Sequence, residues 1–241
     1  MNIKKEWLER YRNRSNYTTT KRQAFFKLAS YYLPKDKNAI IVDIGCSFAE
    51  FARQYVCKAN YSNLYLLDCD VSTIDELKLE FKNVINYRIP DPLPFTEKSV
   101  AFLHCSHVIE HLNPHQLCQL ILEIDRVTKK DAIIIISSPL LSDGGFYGDL
   151  DHVKPYPPGL LANIFCKQCR VPSIKDEPIV KSEYRQIELV ERYSDNDVFS
   201  DIGFNNKFLD FLVFILGKMF HKIGLRSYLP TGYTLVIRKV V

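Results

Sequence analysis

The sequence predicts an α/β protein built on an open, mostly parallel sheet with helices on both faces. Three observations carry that expectation. Short apolar, β-branched runs recur at 39–44, 63–68, 100–105 and 132–137, which is how strands buried on both faces read. Stretches with helical spacing lie between them, and this alternation produces βα units rather than hairpins. The first run closes on Asp43-Ile-Gly45, an acid and a glycine ahead of small residues and an amphipathic segment. Strands that end this way in open α/β sheets place their carboxyl ends at a ligand crevice.

Each element follows in order. Residues 1–33 are polar and aromatic with helical spacing (Trp7, Leu8, Tyr11, then Ala24, Phe25, Leu28, Tyr32) and stop at Pro34, which predicts one or two helices over the mouth of the sheet. Strand 39–44 leads to helix 48–58, and strand 63–68 to helix 73–81. A short strand at 84–88 runs into the proline-rich IPDPLPF. Strand 100–105 leads to helix 114–128, and strand 132–137 ends at Pro139 before a helix near 158–169. Residues 170–182 read as a loop, 185–193 as a strand, 207–225 as a very apolar helix and 231–240 as a closing strand.

Bulk properties bound the function. At 241 residues, the chain reads as a single domain over 1–241, with a helical cap over 1–35, a ligand-binding core over 36–140 and a substrate-side elaboration over 141–241. A net charge of +4 demands neither nucleic acid nor an anionic membrane, and no nucleic-acid partner is expected. Seven scattered cysteines, an odd number, read as thiols in a reducing compartment. With no signal-peptide core at the N-terminus, the expected location is cytoplasmic.

The Asp43–Ala49 string resembles the first motif of class I S-adenosylmethionine (SAM) methyltransferases, an acid-x-Gly-x-Gly-x-Gly pattern read here as Asp43, Gly45, Ser47 and Ala49. Asp68 closes the second strand in LLDCD, about one βα unit later, where an acid can accept both ribose hydroxyls of a nucleoside; Asp70 is the fallback. The turn lacks the Gly-x-Gly-x-x-Gly of a dinucleotide site. The segments 92–112 and 120–139 are similar to the family's later run through Leu93, Pro94, Phe95, Glu110, His111, Leu112, Glu123, Arg126, Val127 and Pro139. They depart from it at Ala101, Lys130 and Asp131, and the adenine-contacting acid is displaced, with Ile89 in its register and Asp91 two residues later.

This resemblance implies a Rossmann-like seven-stranded, mostly parallel sheet whose last strand is antiparallel, with SAM as cofactor. It places Asp43 and Gly45 at the methionine part and Asp68 at the ribose, with Ser47 and Cys69 beside them among the cofactor-binding residues. Ile89 and Asp91 fall at the adenine edge, and Cys105, in the loop at 104–107, beside the methyl group. The string Asp149, His152, Val153, Lys154, Pro155, Tyr156 resembles methyltransferases of surface-glycan biosynthesis. It follows glycines 144, 145 and 148, as expected for a loop that closes over an acceptor.

The expected activity is methyl transfer to a hydroxyl of a sugar or cell-envelope precursor, with a quinone-like or other small metabolite as the alternative acceptor. His152 is the candidate general base, because a free imidazole titrates near ~6.5, and His107 is its rival. His107-Val-Ile-Glu110-His111 also spells the inverted zinc-peptidase motif. Asn113-Pro114 follows at once, which makes it a short turn rather than the middle of a helix, so no metal is assigned. In some ubiquinone-type O-methyltransferases a Glu-x-x-Glu-His at this place is linked to a divalent metal; here His107 replaces the first Glu. A zinc hydrolase and a SAM-fold binding protein without catalysis are the readings from other classes. Cys166-Lys-Gln-Cys169 lacks further ligands and reads as inward packing. The apolar stretch 208–223 is interrupted by Asp210 and Lys218, too short to span a bilayer. It predicts a helix packed between the last two strands, with contact to a membrane surface or a dimer mate as the sharper alternative.

Overall fold

A computed structural model describes residues 23–141, 146–168, 170–171, 175–196, 207–223 and 227–241. The β-branched runs form β1 (Ile40–Ile44), β2 (Leu64–Asp68), β3 (Val84–Asn86), β4 (Val100–Ser106) and β5 (Thr128–Pro139), all paired in parallel. A two-stranded ribbon follows, β6 (Arg170–Val171) with β7 (Lys175–Pro178), then β8 (Tyr184–Asn196) and β9 (Ser227–Lys239). The seven-stranded sheet runs β3-β2-β1-β4-β5-β9-β8, with β9 antiparallel to both neighbours. The chain winds outward from β1 to β3 and returns at β4. The crevice of such a sheet therefore opens above the carboxyl ends of β1 and β4.

Alternation along the strands sends side chains to two cores. Val42, Ile44, Leu103, Cys105, Ile134 and Ile136 face one layer, which includes residues of α3 (Pro114–Val127) and α4 (Pro158–Cys166). Ile41, Phe102, Ile133, Ile135 and Val236 face the other, with Ala29 of α1 (Gln23–Tyr31) and Phe51 and Val56 of the helical segment after β1. Both faces are covered, which is why these strands are apolar almost throughout. The remaining helices are α2 (Val71–Leu77) and α5 (Lys207–Lys222).

Several boundaries and one environment differ from the sequence expectation. The segment expected as helix 48–58 starts at Glu50, widens into a π-turn at Ala52–Val56 and tightens into a 3-10 turn at Cys57–Ala59. Its buried Phe51 and Val56 are five apart, a spacing the i→i+5 turn aligns. Helix 73–81 begins earlier, because the Asp70 side chain caps it by accepting from the Ser72 and Thr73 N–H groups. Residues 170–182 are not simply a loop, since β6 and β7 lie within them.

The larger correction is α5. It is not buried between the last strands: Phe208, Phe214 and Met219 are 68%, 59% and 59% exposed. An apolar surface almost all round predicts burial, but it states only what the helix avoids. No helix among the described residues is long and apolar enough to cross a membrane. The expected helix within 1–22, glycines 144 and 145 and Cys169 lie outside the described residues.

Candidate cofactor and active site

The turn after β1 is held from three sides. Gly45 has φ +69°, and a Cβ built on it would lie 2.2 Å from Cγ2 of Val108, so both conformation and space require glycine. Ser47 (φ 46°) and Ala49 (φ 53°) share the left-handed region although they carry side chains. These are the two positions at which the family pattern has glycine. The N–H groups of Gly45 and Cys46 donate to the Leu67 carbonyl at 2.7 and 3.2 Å. Asp68, at the end of β2, accepts from the Ser47 N–H at 2.9 Å and the Asp70 N–H at 3.0 Å. Asp68 therefore shapes the turn as well as offering its remaining lone pairs at the crevice. Asp70 is committed elsewhere: hydrogen bonds from Thr73 and Ser72 hold its carboxyl down at about 2, and it caps α2.

A cavity of about 270 Å³ opens beside this turn. Its floor is Asp43 of β1 and His104 and Ser106 of β4, and its roof includes Phe25 and Phe26 of α1. Asp43 is buried, and its Oδ1 lies 2.7 Å from Nδ1 of His104. Phe51 stacks on the His104 ring at 4.3 Å, and Phe26 meets it edge-on at 5.8 Å. Cys46 also lines the space. Burial, with Asp43 and Asp68 nearby, pushes its thiol up, so it packs rather than reacts.

The far wall joins two segments that are distant in sequence. His107, Glu110 and His111 come from the turn after β4, and Asp149 and His152 from the segment after β5. Backbone bonds strap the two together: the N–H groups of Val153 and Lys154 donate to the Glu110 carbonyl at 2.8 and 3.2 Å. The Tyr156 hydroxyl donates to the Leu112 carbonyl at 2.9 Å. Nδ1 of His152 lies 2.7 Å from the Phe146 carbonyl and Nδ1 of His111 3.0 Å from that of Asp151. A carbonyl can only accept, so each Nδ1 carries the proton and, in the neutral ring, each Nε2 is left as an acceptor. Nε2 of His152 is 3.7 Å from Oδ2 of Asp149. Glu110 is fully buried, with Oε2 accepting from the Ser138 hydroxyl at 3.2 Å and Oε1 3.0 Å from Nδ1 of His107. One ligand atom each from Glu110, His111 and His152 lies within 4.8 Å of the others.

The expected site residues thus divide. Asp43, Gly45, Ser47, His107 and His152 line one cavity. Asp68, Cys69, Ile89 and Asp91 lie outside its lining, with Cys69 and Asp91 exposed and Ile89 half-buried beside the cis Ile89–Pro90 bond. Cys105 is misplaced by the sequence reading. It is fully buried and points into the α3 core, because β4 alternates and it is His104 and Ser106 that face the cavity. That period of two was readable in VAFLHCS and would have chosen His104. The inverted zinc motif is a 3-10 turn, Ile109–His111, ahead of the Asn113 cap and Pro114 of α3. Leu93, Phe95, Glu123 and Arg126 prove to be scaffold. Glu123 accepts from the Leu93 N–H at 2.7 Å, and Arg126 donates to the Phe95 and Leu93 carbonyls at 2.8 and 2.9 Å. Tyr156 is buried, and so supports the strap rather than facing an acceptor.

Comparison with known proteins fits this geometry. Residues 42–136 match the family model described as a methyltransferase domain. A SAM-dependent methyltransferase from Archaeoglobus fulgidus superposes with a TM-score of 0.60 at 21% identity, over 90% of this chain and 94% of that one. One from Mesorhizobium loti gives 0.55 at 12% identity, over 88% and 96%. The [4+2]-cyclase SpnF gives 0.53 at 13%, over 90% and 80%. No curated protein matches the chain. The fold is that of the class I SAM-dependent methyltransferases. S-adenosylmethionine is the cofactor these matches indicate. The residues present fit it: Gly45 leaves backbone room at the turn, Asp68 presents a carboxylate at the end of β2, and the cavity joins that turn to a wall of proton acceptors.

Proposed function

We propose that the chain transfers the methyl group of SAM to a hydroxyl of a sugar or cell-envelope glycan precursor. When bound, SAM supplies a methyl group on a positively charged sulfur, an electrophile. Gly45 and Ser47 would hold the methionine part, Asp68 with Cys69 the ribose, and Ile89 to Asp91 the adenine edge. A hydroxyl acceptor must lose a proton as it reacts, and His152 is the residue we assign to that task. Its Nδ1 is committed to the Phe146 carbonyl, so its Nε2 can take the proton at the cavity wall. Asp149 at 3.7 Å then stabilises the imidazolium. This fixed tautomer is the observation that carries the reading. The sugar acceptor is supported by the Asp149–Tyr156 string, which resembles glycan methyltransferases.

The test is to offer methyl-labelled SAM and the purified chain to fractionated host extract. Label in an acid-hydrolysable glycan precursor is the expected result. Label in a quinone-like fraction would select the alternative acceptor, and no labelled fraction at all would reject methyl transfer. Chelator should leave the rate unchanged on this reading. Loss of the rate with chelator would instead give the Glu110, His111 and His152 group to a cation.

A further inference from the structure

Asp43 does not meet the cavity as a bare carboxylate. It is 3% exposed, and Nδ1 of His104 lies 2.7 Å from its Oδ1. The His104 ring is fixed by Asp43 at one nitrogen, by Phe51 on its face and by Phe26 at its edge. Among the described residues its other nitrogen, Nε2, has no hydrogen-bond partner, although the residue is 2% exposed and lines the cavity. Buried polar atoms are almost always satisfied, so one left open in a cavity wall marks where a ligand atom belongs.

The chemistry of that atom follows from its partner. With Nδ1–H donated to the Asp43 carboxylate, Nε2 carries a lone pair and is an acceptor. A negative charge stands directly behind the ring. The pair therefore suits a cationic donor and opposes a carboxylate. SAM's sulfur carries three groups: adenosyl, methyl, and an arm bearing an α-ammonium and a carboxylate. On the reading above, Asp68 stands at the adenosyl side and His152 at the methyl side. The floor made by β1 and β4 is left for the amino-acid arm.

We infer that Nε2 of His104 receives the α-ammonium group of the SAM amino-acid arm, and that Asp43 acts as a positioning residue that keeps this nitrogen an acceptor. The inference rests on the SAM reading. It moves the recognition atom from the motif acid itself to a histidine on the neighbouring strand.

Calorimetry on the full chain tests it with two ligands. S-adenosylhomocysteine has the arm; 5′-methylthioadenosine shares the adenosyl thioether and lacks it. His104→Phe should weaken S-adenosylhomocysteine about 10- to 100-fold, the range for a hydrogen bond to a charged group, and change 5′-methylthioadenosine less than twofold. His104→Phe leaves Asp43 buried without its partner. The double variant Asp43→Asn/His104→Phe removes the carboxylate charge together with the imidazole and should give the same contrast in a more stable chain. Equal losses for both ligands in both variants would make His104 a structural residue and overturn the inference, as would no loss for either. A wild-type chain that binds neither ligand would reject the cofactor reading, and this inference with it. Normal wild-type binding with an unchanged double variant would reject only the inference.

Discussion

At the scale of single residues, Gly45 and His152 make the sharpest demands. A side chain at 45 would need φ +69° and would overlap Val108. Gly45→Val should therefore abolish binding of SAM and S-adenosylhomocysteine by calorimetry, with thermal melting to separate lost binding from lost folding. His152→Ala should lower turnover by ~10²–10⁴-fold, the usual contribution of a general base, and leave SAM affinity nearly intact. If His107→Ala abolishes turnover and His152→Ala does not, the two histidines exchange roles. Gly45 was legible because its chemistry is local, an acid and a glycine ending an apolar run. The alternation in VAFLHCS turns His104 to the crevice, but its partnership with Asp43 was not legible, because it depends on the β1–β4 register, a pairing made by the fold. Asp68 was legible as a strand-end acid. Its two bonds to backbone N–H groups were not, so Asp68→Ala should cost stability as well as affinity.

Among the elements, β9 and α3 are joined by a buried charge. Nζ of Lys239 donates to the Asp125 and Thr128 carbonyls at 2.6 and 3.0 Å and lies 3.2 Å from Oδ1 of Asp125. The Tyr184 hydroxyl, at the start of β8, donates to the same carboxylate at 2.9 Å. Burial acts to raise the Asp125 carboxyl; hydrogen bonds at Ser182, Lys181 and Tyr184, with Lys239 beside it, outweigh that and hold it below the usual range. A lowered folded-state value means stability that is present above ~4, the unfolded carboxylate range, and lost as pH falls through the folded value. Resistance to urea should accordingly fall below about pH 4, and Asp125→Asn should blunt that part of the profile. Lys239→Met should cost about 1.5–3 kcal/mol in urea unfolding, the range for hydrogen bonds to a charged group, because it removes the charged donor beside the half-buried Asp125 carboxylate. The periodic strands and α3 were readable from pattern alone. β6 and β7 were not, since two and four residues around Pro172 and Pro178 give no periodicity to read. The environment of α5 was also beyond pattern, because an apolar helix does not say which surface meets it.

For the whole molecule, the seven strands, the mostly parallel pairing and the reversed β9 follow the expectation, since alternating strands and helices leave few ways to cover both faces. The finer organisation came from contacts across the chain: the strap from Glu110 to Val153, and α1 roofing the cavity. That roof couples two equilibria. Phe26 of α1 packs on Phe51 and His104, and Tyr32, just past its end, donates to Glu188 of β8 at 2.5 Å. A ligand that fills the cavity adds contact area beneath α1, so it binds the docked form of the helix more tightly than the undocked form. Linkage is reciprocal: whatever ligand binding gains from the docked helix, the helix gains from the ligand. Backbone amides of residues 23–31 should therefore exchange with solvent more slowly when S-adenosylhomocysteine is added, by a factor approaching one plus its concentration over its Kd. Exchange in α3, on the opposite face of the sheet, should respond less. Equal slowing in both helices would mean that the ligand tightens the molecule as one unit. Preferential slowing in α1 would mean that docking of this helix and binding of the cofactor share one coupling free energy.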